Sequence, residues 1–341
     1  MKTNLFLLGM AVAALSSCTN EELTDVAQNR AIKFNPFVEN NTKAVQEVSS
    51  LNSYYLFGEL KETSGSYTGT NNVFDNEPSS ITQYWSVNKN YSFGAYADGD
   101  GGKINNATFD ATSSTLTFPN YTVDDAKDLV AATATHQTGE DVSNESAVSL
   151  TFKHMLSQVK FTFTTTDADA YTLKISELKF TAVNKANGTY KSENNEIKWE
   201  AATESGSAEY SYEEIADIAT SANYDATAKK YKASSNSKLV IPQNTTNDIT
   251  VTFKATISGP GMEEKTANFT ADLGVAANIA GTRSDANTWI PGYRYNYTAE
   301  INAAKIDPDG THKIEFNPSV ETWQNATNTD KEPAKQESVE P

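Results

Sequence analysis

The chain has 341 residues, with 27 Lys plus Arg against 44 Asp plus Glu, and a net charge of −17. That surplus repels phosphate backbones and anionic membrane faces, which argues against nucleic acid as a partner. One cysteine allows no internal disulfide, so packed cores must supply the stability; a hydrophobic share of 38% fits thin sheets with one wet face better than a thick α/β core.

The N-terminus carries an address. Lys2 is followed by the apolar run Leu5 to Leu15, too short to cross a bilayer as a helix. Leu15-Ser16-Ser17-Cys18 then has the form of a bacterial lipobox, which makes residues 1–17 a signal peptide and Cys18 an acylated N-terminus. Small residues before the cysteine let the chain enter a peptidase cleft, and the thiol takes the lipid. Residues 18–30 form an acidic linker. Its Thr19-Asn20-Glu21-Glu22 resembles the acidic surface-export signal of Bacteroidetes lipoproteins.

Beyond the linker the dominant signal is alternation. Side chains of a strand point to opposite faces in turn, so period two marks half-buried strands. Strands are expected at Ala31 to Val38, Tyr54 to Phe57, Tyr91 to Tyr96, Leu116 to Phe118, Leu129 to Ala132, Val148 to Phe152 and Val159 to Phe163. They continue at Leu178 to Val183, Ile197 to Trp199, Leu239 to Ile241, Ile249 to Ile257 and Tyr293 to Ile301. Asp98-Gly99-Asp100-Gly101-Gly102, Asn187-Gly188, Ser258-Gly259-Pro260-Gly261 and Asp307-Pro308-Asp309-Gly310 supply turns. Tyr212 to Thr220 reads as a short helix, with Ile215 and Ile218 on one side. Many short antiparallel strands imply β-sandwiches. The strand pattern breaks near His154 to Ser157, which places a first domain at 31–155 and a second at 156–323. Residues 324–341 are polar and aperiodic, and are expected to be a disordered tail.

One segment occurs twice. Ile32-Lys33-Phe34-Asn35-Pro36-Phe37-Val38-Glu39 and Ile314-Glu315-Phe316-Asn317-Pro318-Ser319-Val320-Glu321 differ only at the second and sixth positions. Proline has no N–H to give to a ladder, so each copy suits an edge strand or a strand end. Two similar edge strands in two similar sandwiches explain the match. So does mimicry, in which the C-terminal strand of one subunit fills a groove vacated by the N-terminal strand of another.

Catalytic and metal chemistry find little support. His136, His154 and His312 do not fall at metal-ligand spacing, and there is no nucleophile-elbow or zinc motif. Asp124, Asp125 and Asp128 read as a solvated loop leading into the Leu129 strand. Asp98 to Gly102 departs from the EF-hand pattern, because Gly102 stands where a third oxygen ligand belongs. His154 is expected to satisfy backbone groups near the domain junction. No enzyme, cofactor or metal is expected. Sixteen tyrosines and four tryptophans leave a glycan-binding surface lipoprotein as the competing function. Coplanar exposed rings would favour it, whereas buried rings favour a structural subunit.

Several of these segments together resemble the fimbrillin family of Bacteroidetes type V pili. They are the lipobox with Thr19 to Glu22, Arg30-Ala31-Ile32-Lys33-Phe34, Thr42-Lys43-Ala44 and Asp128 to Ala132. With them go Leu150 to Val159, Trp289-Ile290-Pro291-Gly292-Tyr293-Arg294-Tyr295 and Ile314 to Trp323. The resemblance implies two transthyretin-like β-sandwich domains, export as an outer-membrane lipoprotein and display on the cell surface. It implies partnership with other pilin subunits, as a homo- or heteropolymer; a host or glycan ligand is a further candidate partner. It further implies that an Arg- or Lys-directed protease removes the N-terminal strand so that a strand of the next subunit can replace it. Replacement restores both the buried side chains and the backbone ladder, and head-to-tail donation does not close on itself. The favoured processing bond is Lys43-Ala44, in the polar loop after the first strand; Arg30-Ala31 is the runner-up. Ile32, Phe34 and Val38 are the expected exchanged residues, and Ile314, Phe316 and Val320 the candidate donors. A subunit that stays uncut would serve as an anchor or tip.

Overall fold

The computed structural model describes residues 30–38, 51–99, 101–166, 171–194, 196–245, 249–273, 288–302, 306, 311–314 and 316–322. Cys18, most of the acidic linker, Lys43, Ala44 and the 324–341 tail lie outside the described residues. The regular secondary structure of the described chain is nearly all strand.

In chain order the first group is β1 (Phe34–Val38), β2 (Tyr55–Glu62), β3 (Asn72–Pro78), β4 (Lys89–Asp98), β5 (Thr108–Asp110), β6 (Thr115–Thr122), β7 (Leu129–Gln137) and β8 (Val148–His154). The next is β9 (Ser157–Thr165), β10 (Thr172–Lys191), β11 (Glu196–Ser211), β12 (Tyr224–Asp225), β13 (Lys230–Ser234) and β14 (Lys238–Val240). Last come β15 (Thr250–Gly259), β16 (Met262–Asp272), β17 (Tyr293–Glu300), β18 (Thr311–Lys313) and β19 (Asn317–Thr322).

These strands form three sheets. One runs β1-β8-β7-β4-β2-β3. A second runs β18-β16-β15-β10-β6-β5, with β11 also on β10. The third runs β12-β13-β9-β17-β19, with β14 also on β9.

The second sheet is the unexpected one. β10 is 20 residues long, where alternation predicted only Leu178 to Val183. Its first half pairs with β15, from Thr172↔Ser258 to Phe180↔Val251. Its second half pairs with β6, from Lys185↔Thr122 to Lys191↔Thr115. β11 pairs with β10 from Lys179 to Lys191, with register shifts at Val183/Lys185 and Lys185/Ala186. A hairpin from residues beyond 156 therefore completes the sheet begun by β5 and β6.

Three hydrophobic cores result. The first packs Ile32, Val38, Leu56, Trp85, Tyr91, Phe93, Leu150 and Phe152. The second packs Phe161, Phe163, Phe180, Val251, Phe253, Phe269, Trp289, Tyr297 and Phe316. The third mixes both halves of the chain, joining Tyr96, Leu116, Phe118, Leu129, Met155 and Leu156 to Ala186, Tyr190, Leu239 and Ile241. The expectation of sheets with one wet face fails at β4. Tyr91, Phe93 and Ala95 point into the first core and Tyr96 into the third, because β5 and β6, in the sheet that β10 extends, cover the second face: Tyr96 meets Phe118 edge-on at 5.5 Å. Gly94 permits the close approach of β5: a Cβ there would lie 2.6 Å from the Phe109 ring.

The predicted helix at Tyr212 to Thr220 is absent. Ile215 bridges Ile175 instead, its N–H bonding to the Ile175 carbonyl at 2.9 Å and its carbonyl accepting the Ile175 N–H at 3.0 Å. Ile215 and Ile218 both enter the second core. The three-residue spacing that suggested a helical face is met by an extended bridge followed by a turn, in which Asp217 accepts the Ala219 N–H at 3.1 Å.

Candidate assembly segments

The N-terminal segment is anchored at two places. Arg30 to Ile32 lies against the loop joining β3 to β4. The Trp85 N–H donates to the Arg30 carbonyl at 2.9 Å, the Ile32 N–H donates to the Gln83 carbonyl at 2.8 Å, and Ala31 bridges Tyr84. The Arg30 guanidinium also donates to the Trp85 carbonyl at 3.2 Å. The chain then crosses to β8, where β1 pairs in parallel from Phe34↔Val148 to Val38↔Phe152. β7 meets β8 only at Val130↔His154 and Ala131↔Lys153, so β1 is the described ladder partner of Val148 to Phe152. Ile32 and Val38 are buried in the first core. Phe34 packs edge-on against Phe74 at 5.8 Å and Phe93 at 5.3 Å. Alternation on β8 turns Val148, Leu150 and Phe152 inward behind it.

The C-terminal copy makes the equivalent crossing in the second core. β18 pairs in parallel with β16, and the Ile314 N–H donates to the Thr270 carbonyl at 3.1 Å. The chain then passes to the third sheet, where β19 pairs antiparallel with β17, Val320 opposite Tyr295. Phe316 wedges between the layers. Its ring lies 5.4 Å from Phe161, 5.9 Å from Phe163, 6.1 Å from Phe253 and 6.4 Å from Tyr297. Both copies end their sheets as edge strands, which suits Pro36 and Pro318. The pairing sense differs, parallel for β1 and antiparallel for β19. Phe316 is more deeply buried than Phe34.

Between these segments lies a polar joint the sequence did not resolve. Only Met155 and Leu156 separate β8 from β9, and both are fully buried. The Trp199 indole N–H donates to the Met155 carbonyl at 2.7 Å, and the Gly292 N–H to the Leu156 carbonyl at 2.8 Å. His154 meets a side chain here: its Nδ1 stands 2.6 Å from Asp128 Oδ2. The nearby acids also have partners. Asp124 pairs with Lys127 at 3.2 Å, and Asp125 with Lys238. Asp98 accepts the Tyr121 hydroxyl at 2.9 Å; burial pushes the Asp98 carboxyl above its usual range, against the lowering effect of that hydrogen bond. Burial and the Asp98 charge push the Tyr121 hydroxyl up in turn. Gly99 and Gly101 adopt positive φ, and the Gly102 N–H returns to the Asp98 carbonyl at 3.0 Å, so this segment is a turn. Among the described residues no group of three or more His, Cys, Asp and Glu is placed to hold a metal ion.

Most aromatic rings lie in the cores, Trp85, Trp289, Tyr91, Tyr96 and Tyr190 among the largest fully buried side chains. The exposed Tyr224 meets Tyr231 at 5.0 Å with 51° between the ring planes, so the pair is not coplanar.

Comparison with known families gives a match to the fimbrillin-like model over residues 37–323. The chain belongs to the fimbrillin-like family. Membership makes this fimbrillin-like chain a fimbrial or adhesin-type subunit of the cell surface that assembles with other fimbrial subunits. A comparison with curated proteins finds no match. Among solved structures, a candidate cell adhesion protein from Bacteroides uniformis is 19% identical, with 79% of this chain and 91% of that one covered and a TM-score of 0.40. One from Parabacteroides distasonis is 12% identical, covering 86% and 95% with a TM-score of 0.46. The fimbrial anchor protein Mfa2 from Porphyromonas gingivalis is 12% identical, covering 86% and 98% with a TM-score of 0.37. Likenesses this distant add no functional argument; the family rests on the match in sequence.

Proposed function

We propose that this chain is a structural subunit of a type V pilus, exported as a lipoprotein acylated at Cys18 and assembled by strand exchange. A cut at Lys43-Ala44 separates β1 from the rest of the chain, and a strand from another subunit then takes its place. The observation that carries this reading is the edge position of β1. Its described strand partner is β8, and it places Phe34 and Val38, with Ile32 just before it, against one core. Its loss leaves Val148, Leu150 and Phe152 facing an open groove with unpaired backbone, which a strand of matching alternation fills.

Arg30-Ala31 is the poorer processing bond. Proteases bind an extended substrate and draw the basic side chain into a pocket, but here the Arg30 carbonyl and guanidinium are both engaged by Trp85. A cut there also leaves β1 in its groove. The C-terminal strand remains the candidate donor, and its release requires Phe316 to leave the second core in the same exchange. We also propose two lobes, 31–155 and 156–323, fastened by the β10–β11 hairpin. An uncut subunit acts as an anchor or tip.

The test is mild digestion with a Lys-specific protease. Ladders of multimers are expected, and Lys43→Gln abolishes them. Digested protein that loses β1 and stays monomeric overturns stalk polymerisation by this route.

A further inference from the structure

We propose that the loop joining β3 to β4 is a membrane-contact surface that seats the acylated subunit on a lipid bilayer. The proposal rests on acylation of Cys18 and goes beyond it, because it assigns a second, protein-borne contact.

Residues 78–88, Pro-Ser-Ser-Ile-Thr-Gln-Tyr-Trp-Ser-Val-Asn, contain no charged side chain in a chain of net charge −17. Three of the five large apolar residues exposed among those described lie on this one loop: Ile81 at 43%, Tyr84 at 49% and Val87 at 44%. The exposure does not come from slack. Trp85 is buried as a plug, edge-on to Tyr91 at 4.7 Å. The Ile81 N–H donates to the Pro78 carbonyl at 3.0 Å, the Ser86 N–H to the Tyr91 hydroxyl at 2.8 Å and the Asn88 N–H to the Gly139 carbonyl at 2.9 Å. The loop is thus held with Ile81, Tyr84 and Val87 turned to solvent.

Its position decides what covers it. Arg30 and Ile32 hydrogen-bond to this loop with Ala31 opposite Tyr84, so the chain arriving from Cys18 meets the fold there. Arg30 follows Cys18 by twelve residues, which span at most roughly 40 Å when fully extended. A bilayer holding the Cys18 lipid therefore lies within reach of this face. Tyrosine with aliphatic neighbours is the composition that sits at a membrane interface. The surrounding charges are mixed: Arg30 and the exposed Lys33 on one side, Lys89 paired with Glu62, and the exposed Glu140 and Asp141 on the turn beyond Gly139. That rim suits a zwitterionic surface rather than a strongly anionic one. Three side chains are far less than a stable dimer buries. A tether makes so small a patch effective, because it raises the local concentration of the surface the patch meets.

The experiment supplies the anchor chemically, so that it does not depend on acylation in the cell. The chain beginning at Cys18 is coupled through its unique thiol to a single myristoyl group, which by itself binds membranes only marginally. Partition onto phosphatidylcholine vesicles is then compared with that of the Ile81→Ser, Tyr84→Ser, Val87→Ser variant. A drop on the order of tenfold is expected, with unchanged unfolding midpoints because all three side chains are exposed. Equal partition overturns the proposal. So does concentration-dependent self-association of the uncoupled chain that the triple variant abolishes, since a second copy then covers the loop. Palmitate labelling of Cys18 in cells is a separate measurement, and its failure removes the natural anchor without altering the vesicle result.

Discussion

Phe34 and Phe316 occupy the same position in the repeated segment, yet the structure assigns them different costs. Replacing a buried phenylalanine by alanine costs about 3–5 kcal/mol, and each edge-on ring pair adds up to ~1.5 kcal/mol. Phe316 is 7% exposed and meets four rings, so Phe316→Ala is expected at the upper end, about 4–5 kcal/mol. Phe34 is only partly buried and meets two rings, so Phe34→Ala is expected to cost about 2 kcal/mol. Urea unfolding followed by tryptophan fluorescence reads both variants against the parent chain. The shared third core couples the lobes, so the transition slope is compared along with the midpoint. The order matters for assembly: β1 must leave more readily than the C-terminal strand if a cut is to open the first groove while the second core holds. An equal or larger loss for Phe34→Ala would refute the reasoning from burial and ring contacts.

Three further outcomes are expected. A fragment of residues 31–155 lacks β10 and β11, so it exposes the third core and fails to give the cooperative transition and dispersed amide spectrum of a folded sandwich; a well-dispersed spectrum from the fragment counts against the shared hairpin. Cys18→Ala leaves the chain without lipid, read by the loss of labelled palmitate and of outer-membrane fractionation. Burial pushes the Tyr54 and Tyr96 hydroxyls from 10.0 up to about 12. Because the folded values are raised, their stabilising contribution is complete below about pH 10 and is lost as pH climbs towards about 12, so the urea midpoint at about pH 11 falls below that at about pH 9.

The sequence by itself determined the all-β class, the inward residues of several strands and the family. Period-two alternation located inward residues such as Phe161 and Phe163 on β9, or Val251, Phe253 and Ala255 on β15, because alternation is a property of one strand and its two faces. The repeated Ile-x-Phe-Asn-Pro segment was legible as a pair of edge strands because proline leaves a ladder incomplete. Cys18 and Lys43, by contrast, are readings of motif and position alone. Tertiary structure decided the partners. Alternation does not say which strand lies alongside, so nothing local in Thr172 to Lys191 showed that one strand would pair with β15 at one end and β6 at the other. The same gap hid the opposite pairing senses of β1 and β19, and the bridge from Ile215 to Ile175 that displaced the expected helix. In each case the outcome rests on hydrogen bonds and buried contacts between residues far apart in the chain. Those contacts override the weak local preference of a nine-residue segment, and only the folded arrangement contains them.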